Sequence, residues 1–88
     1  MATKDDVAQW MADEARSKPH LPQDRAARHI RNEFGGEFTY RNENHNWAID
    51  RDVLGKFNEL TKDDVVWERR YRRWRKRRPT DKAGRQQR

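Results

Sequence analysis

The sequence contains no cysteine, which excludes disulfide bonds and thiolate zinc sites. It has no apolar run long enough to cross a membrane, and its first ten residues carry acids where a secretory signal would carry an apolar core. Its one serine, Ser17, falls in a predicted connector and has no expected partner for nucleophilic catalysis. These absences predict a cytoplasmic protein without thiol chemistry.

Apolar residues are also scarce, at 32% of the chain against 41% charged residues. For 88 residues this composition predicts one small domain with a thin core. Four Trp, three Phe and two Tyr compensate in part, because each buried aromatic removes a large apolar area from water. We expect a compact domain over residues 1–78 and a polar tail over 79–88. The expected core residues are Trp10, Ile30, Phe34, Phe38, Trp47, Leu54, Phe57 and Trp67.

Three segments have the apolar spacing of amphipathic helices. The first is predicted over Lys4 to Arg16, with Thr3 as its N-cap. The second is predicted over Gln23 to Phe34, with Pro22 at its first position and a Gly-Gly stop after it. The third follows Asp50, its expected N-cap, and places Val53, Leu54, Phe57 and Leu60 on one face.

A β-hairpin is predicted between the second and third helices. Phe38-Thr39-Tyr40 alternates apolar and polar residues, Trp47-Ala48-Ile49 does so in part, and the Asn-rich stretch between them favours a turn. We expect Phe38, Tyr40, Trp47 and Ile49 to face the helices. The predicted fold is therefore α+β, in the order helix, helix, β-hairpin, helix and basic C-terminal segment.

The segment 65–78 has two interpretations. Thr61-Lys62-Asp63-Asp64-Val65 repeats the letters that open the first helix, and Trp67, Tyr71 and Trp74 fall on one helical stripe. This favours a helix capped at Thr61. The β-branched and aromatic content favours strands instead, with one arm at residues 65–67 and another at 71–75. The helix is the preferred prediction, and strands are the alternative.

Charge is distributed unevenly along the chain. Residues 1–64 hold ten Lys or Arg against thirteen Asp or Glu, a net charge of −3, whereas residues 65–88 hold eleven against two, a net charge of +9. Closely spaced cations with interleaved aromatics are typical of surfaces that bind phosphates and stack on bases. The candidate phosphate contacts are Arg69, Arg70, Arg72, Arg73, Arg75, Lys76, Arg77 and Arg78.

The same sequence resembles a family of small, functionally uncharacterised bacterial proteins found in phages and as integron gene cassettes. The resemblance is carried by VAQWM at Val7–Met11, FGGEF at Phe34–Phe38, the spacing of Ile49 with Val53 and Leu54, and the segment from Val65 to Gln87. It covers nearly the whole chain and implies no activity. It does imply that the C-terminal segment, with VVWER and WRKR, is part of the fold.

Two functions remain open at this point. The first is a non-enzymatic accessory protein that binds DNA or RNA with little sequence preference. The second is a protein-interaction or self-assembling module, in which the basic segment docks on an acidic partner or a second copy, with Trp74 and Tyr71 as anchors. An enzyme is not expected. His20, His29 and His45 lack metal-ligand spacing, and nothing in the sequence indicates a cofactor or a small-molecule substrate.

Overall fold

The computed structural model describes residues 2–81, Gly84 and Gln86–Gln87. The helices are α1 (Lys4–Ser17), α2 (Gln23–Glu33) and α3 (Arg51–Leu60), with a 3-10 turn at Gly36–Phe38. The strands are β1 (Leu21–Pro22), β2 (Thr39–Arg41), β3 (Trp47–Ile49), β4 (Val65–Glu68), β5 (Arg73–Lys76) and β6 (Gln86–Gln87). The chain is therefore a single small α+β domain, as predicted.

The three predicted helices are confirmed, with boundaries that differ by one residue at most. Thr3 accepts a hydrogen bond from the Asp6 amide while the Asp6 carboxylate accepts one from the Thr3 amide, which makes a complete capping box. Asp50 caps α3 by accepting from the amides of Asp52 and Val53. Pro22 is the N-cap of α2 and not its first helical residue, because its extended backbone belongs to β1.

The strands form two sheets. A two-stranded sheet pairs β2 with β3 in the predicted hairpin, and a four-stranded sheet has the order β1-β5-β4-β6. The β1–β5 and β4–β5 pairs are antiparallel, and β4–β6 is parallel. Residues 86–87 of the predicted tail thus join the sheet. Of the remaining tail, the structure describes residues 79–81 and Gly84, and the other positions lie outside the described residues.

The preferred helix over 65–78 is wrong, and the strand alternative is confirmed. Thr61 is the C-cap of α3, and its buried hydroxyl donates to the Phe57 carbonyl at 2.7 Å, so it does not start a new helix. Glu68 and Arg73 then pair across the strands on either side of a four-residue turn at 69–72. Tertiary pairing overrides the helical spacing of the aromatics here, because Trp67 and Trp74 lie directly opposite each other on β4 and β5.

The core lies between the helices and one face of the four-stranded sheet. Small residues of α1, among them Ala8 and Ala12, allow close packing on α3, where Phe57 is fully buried. Of the expected core residues, Ile30, Phe38 and Phe57 are buried, whereas the others are half-buried at its edge. Those others are Trp10, Phe34, Trp47, Leu54 and Trp67. The core is thus more aliphatic than the composition suggested.

The face of the first hairpin was predicted partly wrongly. Ile49 is buried and Trp47 packs against the core, but Tyr40 is 43% exposed. Side chains alternate between the two faces of a strand, and Tyr40 is paired with Ala48, between the Thr39–Ile49 and Arg41–Trp47 pairs. The Tyr40 side chain therefore lies on the face of the hairpin opposite to Trp47 and Ile49. Among the described residues, no helix is long and apolar enough to span a membrane.

Candidate functional site

The eight predicted phosphate contacts do not share one surface. Arg69, Arg70 and Arg72 are exposed at the turn between β4 and β5. Lys76 ends β5, and Arg77 and Arg78 follow it, at the opposite end of the strand. The remaining two, Arg73 and Arg75, alternate with Trp74 along β5 and lie on the sheet face opposite that ring.

Arg75 is not available to bind phosphate, because it is the centre of a buried ion cluster. Its side chain is 6% exposed, and its two terminal nitrogens donate to the two Asp81 oxygens at 2.7 and 2.8 Å. Its Nε lies 3.0 Å from Glu68 Oε2, close enough for an ion pair although too poorly aligned for a hydrogen bond. Arg73 Nε donates to Glu68 Oε1 at 2.6 Å. Two arginines and two carboxylates thus neutralise one another.

The cluster shifts the pKa of both carboxyl groups downward. Hydrogen bonds from Arg75, and then from the Arg78 amide, hold the pKa of Asp81 well below its usual range. Burial alone would raise the pKa of Glu68, but the hydrogen bond from Arg73 and the ion pair with Arg75 outweigh that effect, and the pKa is lowered. Both groups therefore stay ionised in the folded protein under conditions that protonate them in the unfolded chain.

We expect this cluster to make the fold acid-sensitive. Both carboxyl groups have a lower pKa in the folded protein than in the unfolded chain, where it is about 4. The cluster therefore stabilises the fold fully at pH values above about 4, and this stabilisation is lost as the pH falls through the folded-state pKa values. Thermal unfolding followed by circular dichroism between pH 7 and pH 2.5 measures the loss. Asp81→Asn should cost about 1.5–3 kcal/mol at pH 7 and show a shallower decline below pH 4. Parallel curves for the two proteins would contradict the assignment.

The two predicted partner anchors, Trp74 and Tyr71, differ in their exposure to solvent. Trp74 is 5% exposed, and its ring packs against Phe57 at 5.1 Å and Trp67 at 4.8 Å between centroids. The prediction that it is a surface anchor is therefore wrong. Tyr71 is 55% exposed in the β4–β5 turn, and it remains accessible to a partner.

Tyr71 and Arg72 border a groove of about 820 Å³ that the sequence did not indicate. One wall is the polar side of α2, and the other is the first hairpin from Arg41 to Trp47. The β4–β5 turn closes one end, where the Gln23 amide donates to the Arg72 carbonyl at 2.9 Å and fixes the turn against the start of α2. The lining residues are Gln23, Asp24, Arg28, Arg31, Asn32, Arg41, His45, Asn46, Trp47, Tyr71 and Arg72.

The groove is strongly positive. Arg28 and Arg31 of α2, Arg41 of β2 and Arg72 of the second turn line it, and Asp24 is the one carboxylate among its lining residues. All four arginines are exposed, and within the part of the chain that the structure describes none of them pairs with a carboxylate. Such a concentration of unpaired guanidinium groups attracts an anion and can hold phosphate oxygens bidentately.

Aromatic rings lie among these cations. The guanidinium carbons of Arg31 and Arg41 lie 4.0 and 4.9 Å from the centre of the Trp47 ring. Arg73 lies 4.4 Å from the centre of the Tyr71 ring, and its own ion pair with Glu68 fixes it there. Guanidinium groups stacked on rings are partly pre-oriented, so less side-chain entropy is lost when they bind an anion.

The backbone at the groove is also unusual. Of the described residues other than glycine, His45 and Arg72 have positive φ, at 61° and 52°, and both line this groove. Left-handed backbone is tolerated best by Gly and Asn, so His and Arg adopt it at some energetic cost. Residues held in such conformations cluster at functional sites.

Sequence reasoning missed Arg28, Arg31 and Arg41 because it averaged charge over residues 1–64. The positive and negative charges of residues 1–64 nearly cancel in the sum, so the net charge does not show that Arg28, Arg31 and Arg41 lie together on one surface. The available signal was the i, i+3 spacing of Arg28 and Arg31, opposite the apolar face of α2. Their convergence with Arg41 and Arg72 depends on tertiary structure.

A second groove, between α1 and α3, has a different character. Two of its three cations, Lys4 and Lys56, are paired with Asp52 and Asp5 at 2.7 and 2.9 Å. The third, Arg51, is exposed, and the three carboxylates of the lining, Asp5, Asp52 and Glu59, balance the three positive charges. Within residues 2–81, Gly84 and Gln86–Gln87, no three His, Asp or Glu side chains converge to hold a metal ion.

Comparison with known proteins gives a family and no activity. No curated protein and no solved structure matches the chain. A family model described as a family of unknown function, DUF6953, matches residues 3–76, which include every helix and both hairpins. The protein therefore belongs to the DUF6953 family, whose function is unknown.

Proposed function

We propose that the protein is a non-enzymatic, cytoplasmic nucleic-acid-binding protein that contacts phosphates with little sequence preference. The observation that carries the proposal is the convergence on one groove of four exposed arginines from three separate elements, none of which pairs with a carboxylate of the described residues. Arg69 and Arg70, exposed on the neighbouring turn, extend the positive surface beyond it. An origin in a phage or an integron cassette, which the sequence resemblance implies, stays part of this proposal.

The proposal differs from the sequence-based prediction in where the phosphates bind. Arg75 is neutralised inside the sheet, and Arg73 is paired with Glu68. Arg28, Arg31 and Arg41 take their place beside Arg72. Binding to phosphates releases counterions, so the affinity should fall with salt. Four contacts predict a log–log slope of roughly −3 to −4.

The test is fluorescence anisotropy of labelled random oligonucleotides across a salt series. The variant Arg28→Gln/Arg41→Gln/Arg72→Gln removes one cation from each element of the groove. It should weaken binding roughly tenfold or more at low salt and make the slope shallower by about 2 to 3, because each phosphate contact contributes close to one unit. All three side chains are exposed, so the fold should persist.

A matched control removes the same charge elsewhere. Arg25, Arg51 and Lys62 are exposed and lie outside the groove, so their triple change to Gln should leave most of the affinity and slope intact. Equal losses in the two variants would mean that only net charge matters and that the groove is not the site. If the wild type does not bind even at low salt, the nucleic-acid function is refuted, and light scattering would then test self-association.

A further inference from the structure

We infer that the groove selects single-stranded over duplex nucleic acid, with the Tyr71 ring as the platform on which an unpaired base stacks. This inference rests on the proposed function and adds the form of the ligand to it. It is carried by the exposed aromatic surface among the phosphate-binding cations, which phosphate binding alone does not require. In a duplex the faces of the bases are already stacked on one another, whereas an unpaired base can present its face to a ring.

Tyr71 has the properties of a preorganised platform. Arg73 lies over its ring at 4.4 Å, and Arg73 is itself fixed by the 2.6 Å contact with Glu68. The Tyr71 amide donates to the Glu68 carbonyl at 3.2 Å, which closes the turn that carries it. Arg70 also lies near the ring, 5.9 Å from its centre, and more than half of the residue is exposed, which leaves surface for a base.

Next to Tyr71, the left-handed backbone of Arg72 brings the chain back into β5. Gly or Asn would adopt this conformation at lower cost, yet Arg occupies the position and lines the groove. Tyr71 and Arg72 therefore place a stacking surface and a phosphate ligand on adjacent residues. Each nucleotide likewise carries one base and one phosphate, so the pair suits a single strand that runs into the groove.

The far side of the groove offers a second stacking surface. The Arg31 and Arg41 guanidinium groups lie over the Trp47 ring, and the outer plane of a stacked guanidinium also receives bases. A volume of about 820 Å³ falls within the range of small-ligand sites and is large enough for a short stretch of single strand. Each side of the groove thus carries an aromatic ring with a guanidinium group beside it.

The experiment compares three labelled probes of equal length, about twelve nucleotides each: oligothymidylate, the matching duplex, and an abasic strand with the same phosphates. Wild-type protein should bind oligothymidylate roughly 5- to 100-fold more tightly than the abasic strand, the range expected for one stacked base. Tyr71→Ala should remove most of that difference and leave the affinity for the abasic strand unchanged. Oligothymidylate should also bind more tightly than the duplex.

Tyr40→Ala is the matched control, because Tyr40 is an exposed tyrosine on a hairpin strand that does not line the groove. It should bind all three probes as the wild type does. Equal, salt-dependent binding of wild type to all three probes would overturn the stacking inference and leave the phosphate-binding function standing. Absence of binding to every probe would overturn both. Equal losses in the Tyr71 and Tyr40 variants would exclude Tyr71 as a specific platform.

Discussion

Replacing Arg75 with Ala is expected to lower the free energy of unfolding by about 3–5 kcal/mol, the usual cost of breaking a buried ion pair by removing one partner. The change leaves Glu68, which is 8% exposed, with Arg73 alone, and it detaches Asp81 from the sheet. A domain of this size has a margin of only about 5–15 kcal/mol. The midpoint of thermal unfolding should fall by on the order of 20 °C.

Arg69→Ala is the matched control for this measurement. Arg69 belongs to the same basic run but is exposed in the turn, so its loss should change stability by less than about 0.5 kcal/mol. Guanidinium denaturation at pH 7, followed by tryptophan fluorescence, compares the two variants with the wild type. Equal stabilities of Arg75→Ala and Arg69→Ala would show that the cluster of Arg75, Glu68 and Asp81 does not stabilise the fold.

This contrast explains why the basic run was interpreted as one surface from the sequence alone. In a strand, successive side chains point to opposite faces, so Arg73 and Arg75 share one face and Trp74 lies on the other. Arg73 pairs with Glu68 of the neighbouring strand β4, and Arg75 pairs with Asp81, which follows β5 in the chain. The eight cations of residues 69–78 therefore lie in different environments, some exposed and some paired inside the fold. Composition alone does not distinguish these environments.

The elements that the sequence did predict have strong local signals. The capping box at Thr3, the cap at Asp50, the glycines after α2 and the Asn-rich turn of the first hairpin all act within a few residues. In that turn the Asn42 side chain accepts from the amides of Asn44 and Asn46. Such short-range chemistry can be read from the order of residues alone.

Residues 61–78 lack signals of this kind. The segment Thr61-Lys62-Asp63-Asp64 has the letters of a helix start, but the hydroxyl of Thr61 is already bonded to the last turn of α3. The second hairpin turns through Arg72 in a left-handed conformation, at a position where Gly or Asn would have marked the turn. The seven-residue separation of Trp67 and Trp74 fits a helix stripe as well as a cross-strand pair, so periodicity alone does not separate the two.

Trp74→Ala is expected to lower the free energy of unfolding by about 3–5 kcal/mol, because it leaves a large cavity between the sheet and α3. Trp74 is 5% exposed, and it is held between Phe57 of the helix and Trp67 of the adjoining strand. The strand that carries it is also the centre of the β1-β5-β4 ladder. Urea denaturation followed by circular dichroism, in parallel with wild type, measures the change.

Tyr71→Ala completes the comparison, because the sequence names both Tyr71 and Trp74 as candidate partner anchors. With Tyr71 55% exposed, its loss should change stability by no more than about 0.5 kcal/mol and should affect binding alone. A surface anchor and a core ring thus give opposite patterns, since the first changes affinity and the second changes stability. If Trp74→Ala unfolds at the wild-type midpoint, its ring lies outside the core, and the packing of β5 against α3 described above is wrong.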